Sequence, residues 1–514
     1  MKLRHIIHEA PSGGILLVVL AILFTLCAGP ANSAPEPGTI TIVVSDEPHT
    51  LDIAELAVST VGKVMTKNVV EPLTEINPDD GTVTPRLATS WKHVDTNTWH
   101  FSLRKGVKFH DGEDFNAEAV LFNLKRLYSD KIVSKTRSKN FAHFQMEGKA
   151  LDSHTLEIKT NKLEPLLPTL MGTWVMVSPN TPLDKWTRQT IGTGPYKLAK
   201  WDAGTQIILE RFDGYWGKQP QVQKVVYVWR KESAVRAAMV AMGEADLALD
   251  IAIQDANRPD LDQMYLNGET SWLRIGAWEP PLNDKRVRLA LNYAVDRNLI
   301  RGSILSKDVV PATQLVGPGV SGYNPELKVY PYDSEKAKTL LDEARKDGVP
   351  VDKEIVLIGR IGIYPNDREL MEAVTTMYRD VGLNAKLRML EIGVYQGFRD
   401  KPFPTNVPPY LLQNQHDNMS GDAVFTVFAK YHCKGAGSPI CDQQLDDLIE
   451  KATVTTGEER RKLWQAAFKR IHEELIPDVM LFHMVGYCRV GKRINFQPTV
   501  ALNSEVQAAQ ITFK

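Results

Sequence analysis

Alternating and helical patterns of apolar positions divide this chain into short strands and amphipathic helices in mixed order. Thr39 to Val44 alternates and is β-branched, which predicts a first strand closed by Asp46-Glu47-Pro48. A polar helix is expected up to Val70. Two short strands then flank the turn Asn77-Pro78-Asp79-Asp80-Gly81, whose acids read as solvated turn residues rather than metal ligands. Thr98 to Phe109 reads as sheet, with Trp99, Phe101 and Leu103 on one face and His100, Ser102 and Arg104 on the other. Past His110-Asp111-Gly112, Asn116 is placed to cap a helix whose Val120, Leu124 and Leu127 share a side.

The stretch Ile191 to Gly217, IGTGPYKLAKWDAGTQIILERFDGYWG, predicts a hairpin. Gly192 and Gly194 supply backbone freedom and Pro195 fixes the dihedral entering a strand from Tyr196 to Trp201. Asp202-Ala203-Gly204-Thr205 reverses the chain, and Gln206 to Arg211 returns. A strand over Lys224 to Trp229, a helix marked by Val235, Met239 and Met242, and a strand over Ala245 to Asp250 form a β-α-β unit, expected to be right-handed with a ligand cleft at the edge of a mixed sheet. Further on, Val287, Leu291, Ala294 and Val295 face inward from a helix that starts near Asp284. Stripes at Ala337, Leu340, Leu341 and Ala344, and at Leu370, Val374, Met377 and Val381, each stop at a glycine, Gly348 and Gly382. Leu445, Leu448 and Ala452, then Leu463, Ala467 and Ile471, mark two more helices. The fold class is α/β.

The Ile191–Gly217 run resembles the diagnostic segment of family 5 of the extracytoplasmic solute-binding proteins of ABC importers, which includes dipeptide-, oligopeptide- and nickel-binding proteins. His49-Thr50-Leu51-Asp52, FSLRKGVKFHDGEDFNAEAVLFNLKRL and EPPLNDKRVRLALNYAVDRNLI resemble other blocks of that family, so the likeness spans nearly all of the mature chain. It implies a type II periplasmic-binding-protein fold of the three-region oligopeptide-binding kind, with two lobes, a hinge and an interlobe cleft. Lobe I would be discontinuous, from residues 35–70, 195–275 and 488–514. A β-rich second domain would cover 71–194, and lobe III would cover 276–487. The implied function is capture of a small solute, foremost a short peptide, and its delivery to the transmembrane subunits of an ABC permease by a monomeric receptor. An opine, a sugar or a nickel chelate is the alternative ligand, and a secreted hydrolase is the alternative from another class.

Desolvation between two lobes demands hydrogen-bonded partners for a ligand's charges. A peptide therefore needs a carboxylate for its ammonium end and an arginine for its carboxylate end. In peptide-binding relatives the carboxylate precedes a loop leading to a disulfide. The likeness puts Asp417 of NQHDNMSGDAVF there, with Asp422 second; a solvated loop acid is the plainer reading of either. The relatives' glycine-tryptophan pair ahead of the acid is replaced by Gln413 and Asn414, which removes an aromatic wall. Arg360, at a strand-to-helix turn, is the arginine candidate, against a surface arginine. Trp278 and Tyr364 are candidate cleft aromatics, against core packing. His483 and Met484 raise a metal ligand, against packing within a strand.

Charge and composition narrow the partners. The chain has 514 residues, 43% hydrophobic and 24% charged, with 61 Lys plus Arg against 62 Asp plus Glu, so nothing draws it to nucleic acid. Its length calls for two or three lobes. Lys2, Arg4, the apolar run Ile15 to Leu26 and Ala31-Asn32-Ser33 read as a signal peptide over residues 1–33, because crossing a bilayer takes about 20 apolar residues. Phe24-Thr25-Leu26 before Cys27 lacks the pattern of lipoprotein processing, so a freely soluble periplasmic protein is expected, with no membrane insertion after cleavage. Removing Lys2, Arg4 and Glu9 takes the net charge from -1 to -2. In KYHCKGAGSPICD the glycines and Pro439 let Cys433 and Cys441 meet as a disulfide, which closes a loop worth about 2–3 kcal/mol. Zinc held by His432, Cys433 and Cys441 is the competing reading, without a second ligand pair. Cys488 reads as a buried free thiol.

Enzyme motifs do not assemble. Ser102 to Lys105 spells S-x-x-K inside a predicted strand without companion motifs. Gly317, Gly319 and Gly322 spell G-x-G-x-x-G, but Pro318 interrupts it and no helix follows. His472-Glu473-Glu474 lacks a zinc protease's second histidine. No enzyme, cofactor or metal site is expected.

Overall fold

The structure, a computed structural model, describes residues 36–514 except 56–58, 80, 133, 142–143, 184, 186, 365 and 418–420. The expected signal peptide lies outside the described residues. An eleven-stranded mixed sheet forms the backbone of the molecule. At one end Thr39–Val44 lies between Lys224–Trp229 and Leu247–Ala248, parallel to both. The predicted hairpin, Tyr196–Asp202 with Gln206–Arg211, extends that end antiparallel. At the other end Ile355–Arg360 runs parallel to Ala385–Leu390 and to Tyr410–Asp417. Two long antiparallel strands, Asp262–Ile275 and Asp478–Val490, join the ends.

Those two strands carry the chain from one hydrophobic core to another. Tyr265, Cys488 and Val490 belong to a core with Ile40, Ile42, Tyr196 and Tyr227. Leu273, Ile275, Val479 and Leu481 belong to a core built with Val287, Leu291, Leu370 and Val374. Between them the register slips from Leu266 opposite Val485 to Thr270 opposite His483, with Gly268 at φ +76° in the bulge. The extra residues lie on Asp262–Ile275, and such a bulge kinks that strand where it leaves one core for the next.

A third core belongs to an antiparallel sheet ordered Ala88–Asp95, Thr98–Leu103, Thr155–Thr160, Met146–Asp152. The Asn116 amide oxygen caps the Ala117–Leu127 helix by accepting from Ala119 N at 3.0 Å, and Val120, Leu124 and Leu127 are buried against that sheet. Sheet pairing stops at Leu103 rather than continuing to Phe109, although Phe109 remains buried in the core.

Gly192 and Gly194 have no left-handed φ. A Cβ on Gly192 would sit 2.0 Å from Val69 O, and one on Gly194 2.2 Å from Asn68 O. Their role is close approach, sealed by Gly194 N to Val69 O at 3.0 Å and Tyr196 N to Asn68 O at 2.9 Å. The turn glycine is Gly204, at φ +78°. The rest of the same run converges on Glu71, which is fully buried. Its carboxylate accepts from Arg86 Nε at 2.9 Å, Thr193 Oγ1 at 2.9 Å, Tyr215 Oη at 3.0 Å and Trp216 Nε1 at 2.9 Å.

The Ser233–Ala241 helix departs from its predicted stripe. Arg236, Ala237, Met239 and Val240 are buried, whereas Val235 is 41% and Met242 61% exposed. Arg236 takes the inward place because its guanidinium donates to the carbonyls of Leu249, Arg230 and Lys231. Cys433 and Cys441 form a disulfide, so they are not a zinc pair, and Cys488 is a buried free thiol. Among the described residues, no helix is long and apolar enough to cross a membrane.

Candidate functional site

A cavity of about 570 Å³ opens beside the bulge in the two crossing strands. Its walls come from three separate parts of the fold. Lys63, Lys67, Asp250 and Glu505 line one side, Asn77, Pro78, Asn140 and Thr173 a second, and Glu269, Thr270, Gly319, Gly421, His483 and Met484 the third. This size falls within the range of small-ligand sites, about 300–1,000 Å³.

Ion pairs set the charge of the first wall. Lys63, on the short Ser59–Met65 helix, reaches Asp250 at 2.7 Å. Lys67 is held by Glu75 at 2.7 Å and Glu505 at 3.0 Å. Burial works against the Lys67 charge, but Glu505 and Glu75 overcome it and raise its pKa. Burial likewise opposes the Glu75 charge, and Lys67 with Arg86 holds that carboxyl down to about 2. Both cavity-lining lysines are thus committed to protein carboxylates. Lys67 and Asp250 also sit at φ +58° and +52°, a left-handed backbone that non-glycine residues adopt at a cost of about 1–3 kcal/mol, and which clusters at functional sites.

The opposite wall is built on the strand crossing. Glu269 accepts from Asn267 Nδ2 at 3.3 Å and from Gln415 Nε2. Thr270 Oγ1 and His483 Nδ1 lie 2.8 Å apart. Burial pushes the His483 imidazole down to about 4, so the ring is neutral at pH 7.

The sequence-derived candidates divide between this cavity and its framework. Asp417 ends the Tyr410–Asp417 strand rather than lying in a loop, and its backbone pairs with that of Glu269. Its side chain lies outside the described residues. Arg360 ends the next strand. Its backbone N donates to Gln413 Oε1 at 3.0 Å, and its guanidinium meets no acid among the described residues. Gln413 also donates to Tyr364 Oη at 3.0 Å, and Tyr364 and Ser271 hydroxyls are 2.7 Å apart. The departure at Gln413 therefore makes a buried hydrogen-bond network in which Tyr364 is a framework residue. Asp422 is buried against Arg460, its oxygens 2.8 and 2.9 Å from guanidinium nitrogens, and it accepts from Val424 N. That carboxylate locks the start of the Val424–Tyr431 helix. Trp278 stacks on Phe403 with centroids 4.2 Å apart and packs edge-on against Tyr410. None of Arg360, Asp422, Trp278 and Tyr364 lines the cavity.

Sequence reading missed Lys63, Lys67, Asp250, Glu269 and Glu505. No local signal marked the lysines: four apart, they fall on the side of a helix away from Val61, Val64 and Met65, where a solvent-facing pair is the ordinary expectation. The G-x-G-x-x-G loop also proves relevant, because Gly317 and Gly319 line the cavity. Ser102 is solvent-exposed on the small sheet, and His472 bonds to Lys328 O, so neither sits near it.

The model of the bacterial extracellular solute-binding proteins, family 5 Middle, matches residues 82–431. The dipeptide-binding protein of Escherichia coli strain K12 is 28% identical over 451 residues, covering 80% of this chain and 83% of its own. The nickel-binding periplasmic protein of the same strain is 27% identical, over 79% and 82%. The solved structure of HbpA2 from Haemophilus parasuis has a TM-score of 0.82 at 22% identity, covering 93% of this chain and all of that one, a likeness of fold.

Proposed function

From the premise that this chain belongs to the bacterial extracellular solute-binding proteins of family 5, the substrate-binding receptors of ABC importers, we propose that its solute is a short peptide. The observation that carries this reading is the cavity beside the crossing strands, walled by three separate parts of the fold and furnished with charged and apolar groups together. Similarity to a dipeptide-binding protein over four-fifths of the chain supports the same ligand class. Asp417, whose backbone pairs with that of the cavity-lining Glu269, receives the peptide ammonium; Arg360 stands outside the cavity wall and takes no part in this assignment. Closure follows because ligand touching both lobes only when they are shut has higher affinity for the shut form.

The chain divides into a signal peptide over 1–33, lobe I over 35–70, 195–275 and 488–514, a β-rich domain over 71–194, and lobe III over 276–487. It works in the periplasm as a monomer without converting its ligand, and it docks on permease transmembrane subunits. Mass spectrometry of molecules released from the purified protein tests the ligand class. Peptide masses in stoichiometric amount are expected; a non-peptide solute overturns the assignment. Asp417→Ala lowers peptide affinity by at least about thirtyfold, since a buried charge left unpaired costs about 2–5 kcal/mol. Unchanged affinity by titration calorimetry removes Asp417 from the site. One observation favours a second reading: His483 and Met484 both line the cavity, so a metal chelate is the rival solute.

A further inference from the structure

Three glycines from separate segments meet at the rim of the cavity. Gly81 closes the turn between Thr74–Ile76 and Val83–Pro85, Gly319 lies in the glycine-rich loop, and Gly421 precedes the Val424–Tyr431 helix. All three are left-handed, at φ +71°, +88° and +71°. A Cβ on Gly81 would lie 2.7 Å from Gly421 O and 2.9 Å from Gly319 O, and one on Gly319 would lie 3.0 Å from Pro78 O. On Gly421 it would lie 2.8 Å from the Ile76 side chain. The two loops on the far side are themselves tied, by Ser321 N to Gly421 O at 3.0 Å and Ala423 N to Ser321 O at 3.2 Å. Backbone therefore meets backbone here, with no room for a side chain.

We infer that this glycine seam is the closing contact of the receptor, and that it sets which solutes fit. The inference rests on the proposed solute-enclosing role of the cavity. Pro78 and Asn77 on one side and Gly319 and Gly421 on the other line that cavity, so the seam is part of its wall. The small-sheet region is then the moving jaw of the trap: its turn shuts against the far lobe. A sealed wall admits a solute that is wholly enclosed and rejects a chain whose end must thread outward between the lobes. The ligand class is accordingly a short, compact solute.

The test separates the contact from backbone strain. Gly106, in the same small-sheet region, has φ +73° with nothing within 4 Å of a Cβ, so Gly106→Ala carries the left-handed cost without the clash. Spin labels at Lys149→Cys and Lys346→Cys, both exposed, report the separation of the jaws by electron–electron resonance. With the expected signal peptide and its Cys27 removed, the remaining native thiols do not interfere, since Cys433 and Cys441 are bridged and Cys488 is buried. Distances are recorded without ligand and with an equimolar pool of di- to pentapeptides. A short-distance population is expected in the parent and in Gly106→Ala, and its loss in Gly81→Ala and Gly319→Ala. In Gly421→Ala it is lost and then regained when Ile76→Ala is added. Equal behaviour of Gly81→Ala and Gly106→Ala, or no short-distance population in the parent under either condition, overturns the seam. Closure that depends on Gly81 but ignores peptides upholds the seam and removes the peptide reading.

Discussion

Glu71 illustrates what a buried charge does in this molecule. Four side chains converge on it, and two of them, Tyr215 and Trp216, come from the aromatic turn that marks the sequence. Removing the carboxylate takes from Arg86 the acid 2.8 Å away, leaves it Glu75 at 2.9 Å as its remaining acid partner, and strands the Thr193, Tyr215 and Trp216 donors. Breaking one partner of such a buried pair costs about 3–5 kcal/mol. Glu71→Ala is therefore expected to lower the urea midpoint by that equivalent, and a loss under 1 kcal/mol would show that the network is dispensable. Individual roles were the least legible level of the sequence. Asp417 and Asp422 looked alike as acids on one loop, yet Asp422 is bound to Arg460 and Asp417 ends a strand. The distinction depends on which distant cation folds back onto each acid, and no local pattern encodes that.

At the scale of elements the sequence was far more informative. The hairpin, the capped Ala117–Leu127 helix, and the glycine stops after Ser334–Lys346 and Asp367–Asp380 all follow from local rules of periodicity and capping. Close approach between elements is not local, which is why Gly192 and Gly194 read as turn glycines when they are contact glycines. His110 fastens the same glycine loop from another side. Its Nε2 lies 2.9 Å from Gly194 O, and Gly192 N donates to Nδ1 at 3.4 Å, an arrangement that suits the neutral ring with its proton on Nε2. Burial pushes this imidazole down to about 4 from its ordinary 6.5. Below pH 6.5 the unfolded chain takes up a proton that the folded ring refuses until about pH 4. Stability consequently falls as the pH drops through that window, by about 3 kcal/mol in full. His110→Asn should reduce the slope between pH 6.5 and 4 in denaturant titrations by one proton's worth, at a lower baseline, leaving the share that the buried His483 contributes to the same window. An unchanged slope would assign the window to other groups; Glu75, held down to about 2, loses its contribution only below about pH 4.5.

For the whole molecule, two α/β ends are linked by Asp262–Ile275 and Asp478–Val490, and the bulge at Leu266–Thr270 lies where the cores change. The α/β class was readable from the order of strands and helices. The cavity was not, since Lys63, Asp250, Glu269 and Glu505 come from three distant stretches of the chain and meet only when the lobes are assembled. The resemblance supplied the idea of a cleft, and the fold shows which side chains face it. A bent two-strand connection with a solute site alongside is a hinge geometry, and this gives the account its most direct test. Small-angle X-ray scattering of protein stripped of its bound molecules, before and after the co-purifying solute is restored, reads lobe closure as a fall in the radius of gyration. The account predicts a saturable decrease that follows binding stoichiometrically. A radius unchanged at full occupancy would contradict it.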